Sequence, residues 1–189
     1  MTESESAAPA LSPLQEALTA LPDVLLAWDE ERGEASATVA LAAFAETCVW
    51  LKEAQGFVRL SGIVGIDTLT YPVAMPGQPE RSIPRFGVIY HLAALPPGRE
   101  RLRLRVFVPE DAPTVPSVTA IWPAANFFER EIYDLFGITF TGHPDLRRIF
   151  LADDWNGHPL RKDVGIGGEP VEFTHTIGPI TRTRRKANA

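Results

Sequence analysis

Between Arg101 and Val108 the chain alternates without a break. Leu102, Leu104, Val106 and Val108 fall on one side, and Arg101, Arg103, Arg105 and Phe107 on the other. A period of two sends successive side chains to opposite faces of a strand. Four aliphatic side chains on one face must be covered, while the cationic face stays solvated. This run commits the chain to a sheet with one packed face. Two neighbours read as partners for it. In 85–93, Phe86, Val88, Tyr90 and Leu92 alternate, and in 57–69 the apolar residues are Phe57, Val58, Ile63, Val64 and Ile66. Residues 96–98 join the second and third of these strands as a hairpin loop. The segment 70–84 holds four prolines and reads as a loop.

The covering layer must come from helices. The pattern predicts a short helix over 13–21, two strands at 23–28 and 34–41 around a turn at 31–33, and an Ala-rich helix over 41–55 ending near Gly56. A further helix is predicted from Pro123 to Phe136, with proline at its first position and Gly137 just beyond its end. The fold class is α+β: helix, two strands, helix, three strands forming a mixed sheet with helices on one face, then one helix and a long extended C-terminal arm. Three regions follow: a small, acidic, disordered stretch over 1–12, an α+β domain over 13–137, and an extended partner-binding arm over 138–189. The arm shows no sustained periodicity, yet carries Phe140, Leu146, Ile149, Phe150, Leu151, Trp155 and Leu160.

Composition narrows the function. The chain has 189 residues, 45% hydrophobic and 22% charged, as for one soluble domain with extensions. A net charge of −6 and a pI near 5.2 argue against nucleic-acid binding. The single cysteine, Cys48, cannot supply the four thiolates of an iron–sulfur cluster and reads as a small buried apolar residue. No apolar run approaches the ~18 residues of a membrane span, and residues 1–13 look like neither a secretory signal nor a transit peptide. There is no GxGxxG or Walker A sequence and no nucleophile constellation. A protein of the cytosol, or of the cytosolic face of a membrane, is expected. Arg182, Arg184, Arg185 and Lys186 form a basic tail, best read as solvated or paired with an acidic groove on a partner.

On the helical wheel, Ala124, Phe127, Phe128, Ile132 and Leu135 share a stripe of the 123–136 helix, and Glu131 falls inside it. A carboxylate there must be paired, hydrogen-bonded or protonated. Three readings stand open: an ion pair with an arginine of the arm, a pair with an arginine of a partner, or a proton-transfer group. Glu129 lies further from the stripe's centre and is expected to matter less. Arg130 and Asp134, four apart, read as an ordinary surface pair. The arm then repeats itself. Gly142-His143-Pro144-Asp145-Leu146-Arg147-Arg148 is echoed by Gly157-His158-Pro159-Leu160-Arg161-Lys162-Asp163. The histidines with Asp145, Asp153 and Asp154 match no recognised metal spacing. The bends read instead as devices that aim Arg147, Arg148, Arg161 and Lys162 at acidic groups.

Taken in order, Glu129-Arg130-Glu131-Ile132-Tyr133-Asp134-Leu135-Phe136-Gly137-Ile138, Phe140, the first Gly-His-Pro segment to Ile149, and Asp154-Trp155-Asn156 leading into the second closely resemble the signature of the 30-kDa (C-type) subunit family of respiratory complex I. The resemblance covers nearly the whole chain. It implies a cofactor-free subunit of the hydrophilic arm, packed against the 49-kDa-type D subunit and near B- and I-type subunits. FMN, iron–sulfur clusters and quinone are implied to sit in other chains of an enzyme that moves electrons from NADH to quinone and pumps protons. The implied location is peripheral, on the cytoplasmic side of a bacterial inner membrane, with membrane association only through the complex. No catalytic, cofactor or metal residue is expected here. Glu129, Glu131, Asp134, His143, Asp145, Arg147, Arg148, Trp155, His158, Arg161, Lys162 and Asp163 are the candidate interface or ion-pair residues. Two alternatives remain: the equivalent subunit of a group 4 membrane-bound hydrogenase or related dehydrogenase, and a free-standing interaction module.

Overall fold

The computed structural model describes residues 12–69, 84–95 and 100–164. The expectations for residues 1–11, for most of the 70–84 loop, for the 96–98 hairpin and for the basic tail lie outside the described residues. Chain order runs α1 (Pro13–Thr19), β1 (Leu25–Glu31), β2 (Glu34–Val39), a 3-10 turn at Leu41–Ala43, α2 (Phe44–Glu53), β3 (Arg59–Asp67), β4 (Phe86–Ala93), β5 (Arg101–Val108), β6 (Thr114–Pro116), α3 (Ala125–Phe136) and β7 (Thr139–Thr141). Ser12 caps α1 by accepting the Gln15 N–H. The 41–55 helix is split, with the 3-10 turn leading into α2. α3 starts at Ala125, two residues after the proline expected to open it.

Five strands form one mixed sheet in the order β1-β2-β5-β4-β3. β2 runs parallel to β5, and the other three pairings are antiparallel. The alternating run 101–108 thus becomes the central strand. Leu104 lies between Ala37 and Tyr90, and Val106 between Val39 and Val88, so the apolar residues of three strands form one layer. The helices cover that layer. The Phe44 ring of α2 sits 4.9 Å from the Tyr90 ring. α3 crosses β3 where the strand carries Gly65, and an added Cβ there would lie 2.8 Å from Phe136 and 3.2 Å from Ile132. Glycine at that point lets the helix approach the sheet closely.

The other face carries the arginines, and carboxylates neutralise much of its charge. Arg105 meets Asp29 at 2.7 Å, and Arg103 pairs with Glu34. A bulge between Leu60 and Gly62 explains why Val64, expected among the strand's apolar residues, is 46% exposed, while Val58, 44% exposed, lies just before the strand begins. β6 and β7 form a separate parallel pair that brings Phe140 beside Val115 in the core. The polypeptide just after Gly137 is therefore part of the fold's core.

Gly65→Val tests this packing. The added methyls displace Phe136 and Ile132, and overpacking of this kind costs about 2 kcal/mol. Urea unfolding should show that loss with an unchanged slope.

Candidate functional site

The last buried helix and the chain that follows it form one polar unit. α3 ends at Phe136, and Gly137 continues with φ +71°. A helix C-terminus leaves carbonyls without partners, and here the second Gly-His-Pro segment supplies them. Gly137 N–H donates to the Tyr133 carbonyl, and His158 Nδ1 to that of Asp134 at 2.9 Å. Leu160 N–H donates to Leu135, and Arg161 Nε to the Phe136 carbonyl at 2.6 Å. A side chain at position 137 would meet His158 and Arg161 at 2.5 Å. Glycine is required there both for its φ and for this close approach.

Asp134 is the unit's centre. Its side chain is fully buried, and Oδ2 accepts three consecutive backbone N–H groups, from Ile149, Phe150 and Leu151, at 2.8–3.0 Å. Oδ1 accepts from the Arg148 guanidinium at 3.0 Å. Burial works against its charge, but these donors outweigh it and hold the carboxyl below its ordinary value. The expected Arg130–Asp134 surface pair is not formed. Arg130 instead donates to the carbonyls of Arg147 and Arg148. The wheel misplaces Asp134 because a polar segment, not an apolar layer, covers that side of the helix.

Glu129 is also fully buried, although the wheel places Glu131, not Glu129, inside the apolar stripe. Ser117 Oγ donates to Glu129 at 2.6 Å, and the Val118 N–H at 2.8 Å. Burial pushes its carboxyl upward, opposed by those two donors and by His143. The first Gly-His-Pro bend closes over this carboxylate. His143 Nδ1 accepts the Asp145 N–H, so the ring proton sits on Nε2, 3.2 Å from the Asn126 carbonyl and 4.0 Å from Glu129. His158 carries its proton on Nδ1 instead, because that atom faces a carbonyl. Glu131 is only half-buried, and no cation lies within ion-pair distance of it among the described residues. The intrachain pairing read for Glu131 is therefore not met by the described arm. Phe127, placed on the apolar stripe, is 67% exposed.

The remaining candidates divide. Arg147 pairs with Asp145 at 2.6 Å on the surface, and Arg148 with Asp134, as the bends suggested. Arg161 turns to helix carbonyls and to the Phe86 ring, 5.0 Å from its centre, rather than to an acid. Lys162 contributes its backbone N–H, not its ammonium, to Asp67. Asp163 reaches Arg85 at 2.8 Å. Asp67 and Arg85 carry no sequence signal, yet they lock the segment's far end. Arg85 binds both oxygens of the buried Asp67 at 3.0 and 2.9 Å, and also Glu110 at 2.6 Å. Burial opposes Asp67's charge, but Arg85 and the N–H groups of Lys162 and Leu69 bring its carboxyl down to about 2.

Residues 142–164 thus form a strap tied at both ends and in the middle. Leu146 packs against the core, but four other apolar side chains point away. Phe150 is 65% exposed, Leu160 48%, Val164 44% and Trp155 37%. Cys48 is buried in the core. Among the described residues no three His, Cys, Asp or Glu side chains converge as a metal site would need, and no helix is long and apolar enough to cross a membrane.

Similar proteins point in one direction. The family model for the respiratory-chain NADH dehydrogenase 30 kDa subunit matches residues 37–170. NADH-quinone oxidoreductase subunit 5 of Thermus thermophilus is 50% identical over 125 residues, 64% of this chain and 57% of that protein. The match therefore spans under two thirds of the Thermus relative's length. The C-type subunit of NADH-quinone oxidoreductase from a Roseiflexus species is 43% identical over 163 residues, covering 85% of this chain and 87% of the relative. A solved trypsin-resistant fragment of Nqo5 superposes with a TM-score of 0.54 at 44% identity, over 62% of this chain and 86% of the fragment. A chain of an archaeal membrane-bound sulfane sulfur reductase shares the fold, with a TM-score of 0.63 at 20% identity over 81% of this chain and 84% of that one.

Two substitutions separate the carboxylates of α3. Glu129→Ala strands the Val118 N–H and Ser117 and lowers stability by about 2 kcal/mol. Glu131→Ala stays within roughly 0.5 kcal/mol of the parent. Chemical unfolding of the two variants side by side gives the comparison.

Acid titration reports on the strap's anchor. Asp67's folded value, about 2, lies below its ordinary 3.8. A depressed carboxyl contributes stability that is complete above about pH 4 and disappears as pH falls toward 2. The loss is about 2 kcal/mol, and Asp67→Asn should flatten the unfolding free energy across that window.

Proposed function

The chain belongs to the family of the 30-kDa subunit of respiratory-chain NADH dehydrogenase, and we propose that it is a cofactor-free, non-catalytic subunit that holds the hydrophilic arm of a proton-translocating NADH:quinone oxidoreductase together. Its principal partner in this reading is the 49-kDa-type D subunit, with B- and I-type subunits nearby. NADH oxidation, the FMN, the iron–sulfur clusters and the quinone site belong to other chains. The protein sits peripherally on the cytoplasmic side of the bacterial inner membrane, through the complex alone.

The observation that carries this reading is the strap. A segment without periodic structure is fixed by at least ten hydrogen bonds to its own domain. It nevertheless turns Phe150, Trp155, Leu160 and Val164 outward. A pre-ordered apolar ridge lowers the entropic cost of association and supplies the aromatic anchors that dominate interfaces. Glu131, half-buried beside exposed Phe127, is available to a partner's arginine in the same reading. The identity to quinone-oxidoreductase subunits, 43% over 163 residues for Roseiflexus, favours this complex over the hydrogenase-type alternative.

Phe150→Asp with Trp155→Ala tests the ridge. The variant should fold with an unchanged circular dichroism spectrum, because both side chains face outward. Co-purification of the D-type subunit from native membranes should fall about 30-fold, the equivalent of one lost hot spot. Undiminished recovery would sink the ridge as the docking element. The purified lone chain should also show no flavin absorbance and no stoichiometric iron.

A further inference from the structure

The outer face of the sheet holds a groove of about 540 Å³ at the end where β3 begins and β4 finishes. Two cross-strand rows build it. One is Arg59–Ala93–Arg101, and the next is Gly62–His91–Arg103. Small residues occupy part of the floor, and guanidinium groups rise on both sides. The β3 bulge makes this shape. With the register shifted between Leu60 and Gly62, both Leu60 and Ile63 reach the core, and Ser61 and Gly62 stay outside.

Gly62 is the telling residue. Its φ is not left-handed, and a Cβ added to it would meet nothing within 4 Å. Glycine inside a strand weakens it, through extra backbone freedom in the unfolded chain and the lack of a side chain to pack. Neither the backbone nor the described neighbours require it here. Open space above a strand glycine suits the close approach of a ligand or another backbone.

The charge of the groove indicates what approaches. Arg101 and Arg103 share the single carboxylate of Glu34, and Arg59 has no carboxylate in ion-pair range among the described residues. Three guanidinium groups against one carboxylate make a positive patch in a chain of net charge −6. His91 lies in the same positive field, held below its ordinary value by burial and by Arg103. A lone phosphate would need the cations but not the cleared floor.

We propose that this groove seats an extended acidic segment of another polypeptide, its backbone lying over Gly62 and its carboxylates on Arg59 and Arg101. The inference extends the proposed function from the α3 strap to a second contact surface, across the sheet, and rests on that reading only in taking the chain to be packed among others.

The test uses the full chain in its own cells, carrying Ser61→p-benzoylphenylalanine. Ser61 is exposed at the groove's edge, so the probe reaches whatever fills it. After irradiation, mass spectrometry of the adduct should identify a segment of a different chain with at least two Asp or Glu residues. An adduct with lipid, with this chain itself or with a segment lacking carboxylates overturns the proposal, as does no adduct. Arg59→Glu with Arg101→Glu should lower the yield about tenfold. Gly62→Leu should lower it comparably while leaving the fold intact, since the Cβ has room. Unchanged yield in both variants also overturns the proposal. Recovery of the parent chain without cluster-bearing partners would instead count against the proposed function, and the adduct is read independently of that outcome.

Discussion

Three consecutive backbone N–H groups on one buried carboxylate oxygen organise the described chain that follows α3. Asp134 turns the irregular stretch 149–151 into a fixed piece of structure without helix or sheet. An irregular backbone cannot lie against a protein core unless its donors find acceptors. One carboxylate supplies them, and Arg148 balances its charge. The two Gly-His-Pro bends then follow a division of labour. His143 faces the first turn of α3 and the buried Glu129, while His158, with Arg161, completes the last turn. The helix is bracketed along its length by side chains that come later in the chain.

The sheet was readable in the sequence because its rule is local. A strict period of two in 101–108 needs no knowledge of neighbours, and that run became the central strand with unchanged bounds. Gly137 was readable for the same reason, since a left-handed residue after a helix is a matter of one dihedral pair. The roles of Glu129, Glu131 and Asp134 were not readable. A helical wheel centres its stripe on apolar residues and presumes an apolar cover. Here α3 has a second cover made of hydrogen bonds, so Phe127 stands out in solvent while two carboxylates are sealed. The Asp67–Arg85 lock was invisible because its members are joined only by the path of the chain, across a segment with no pattern.

Polar fastening has a functional logic. The strap's fastening donors are used inward, on its own domain, while Phe150, Trp155, Leu160 and Val164 stand out among charged side chains such as Arg147, Asp153, Asp154 and Lys162. An apolar centre with a polar surround is the usual anatomy of a protein interface. The opposite side of the molecule uses a different chemistry. There the arginines of β5 are partly satisfied by Glu34 on the adjacent β2 and by Asp29 on β1 beyond it, and the remaining positive charge collects at one end.

The parallel pairing of β2 with β5 sets an order of events during synthesis. Glu34 and Arg103 meet across 69 residues. At roughly 5–20 residues per second, the β1–β2 hairpin leaves the ribosome several seconds before its neighbour exists. A two-stranded hairpin is marginal alone, and loop closure over that separation must precede its reward. The nascent chain therefore carries an unpaired strand edge while the residues between β2 and β5 are made, and the sheet closes only once β5 has emerged between the two halves it joins.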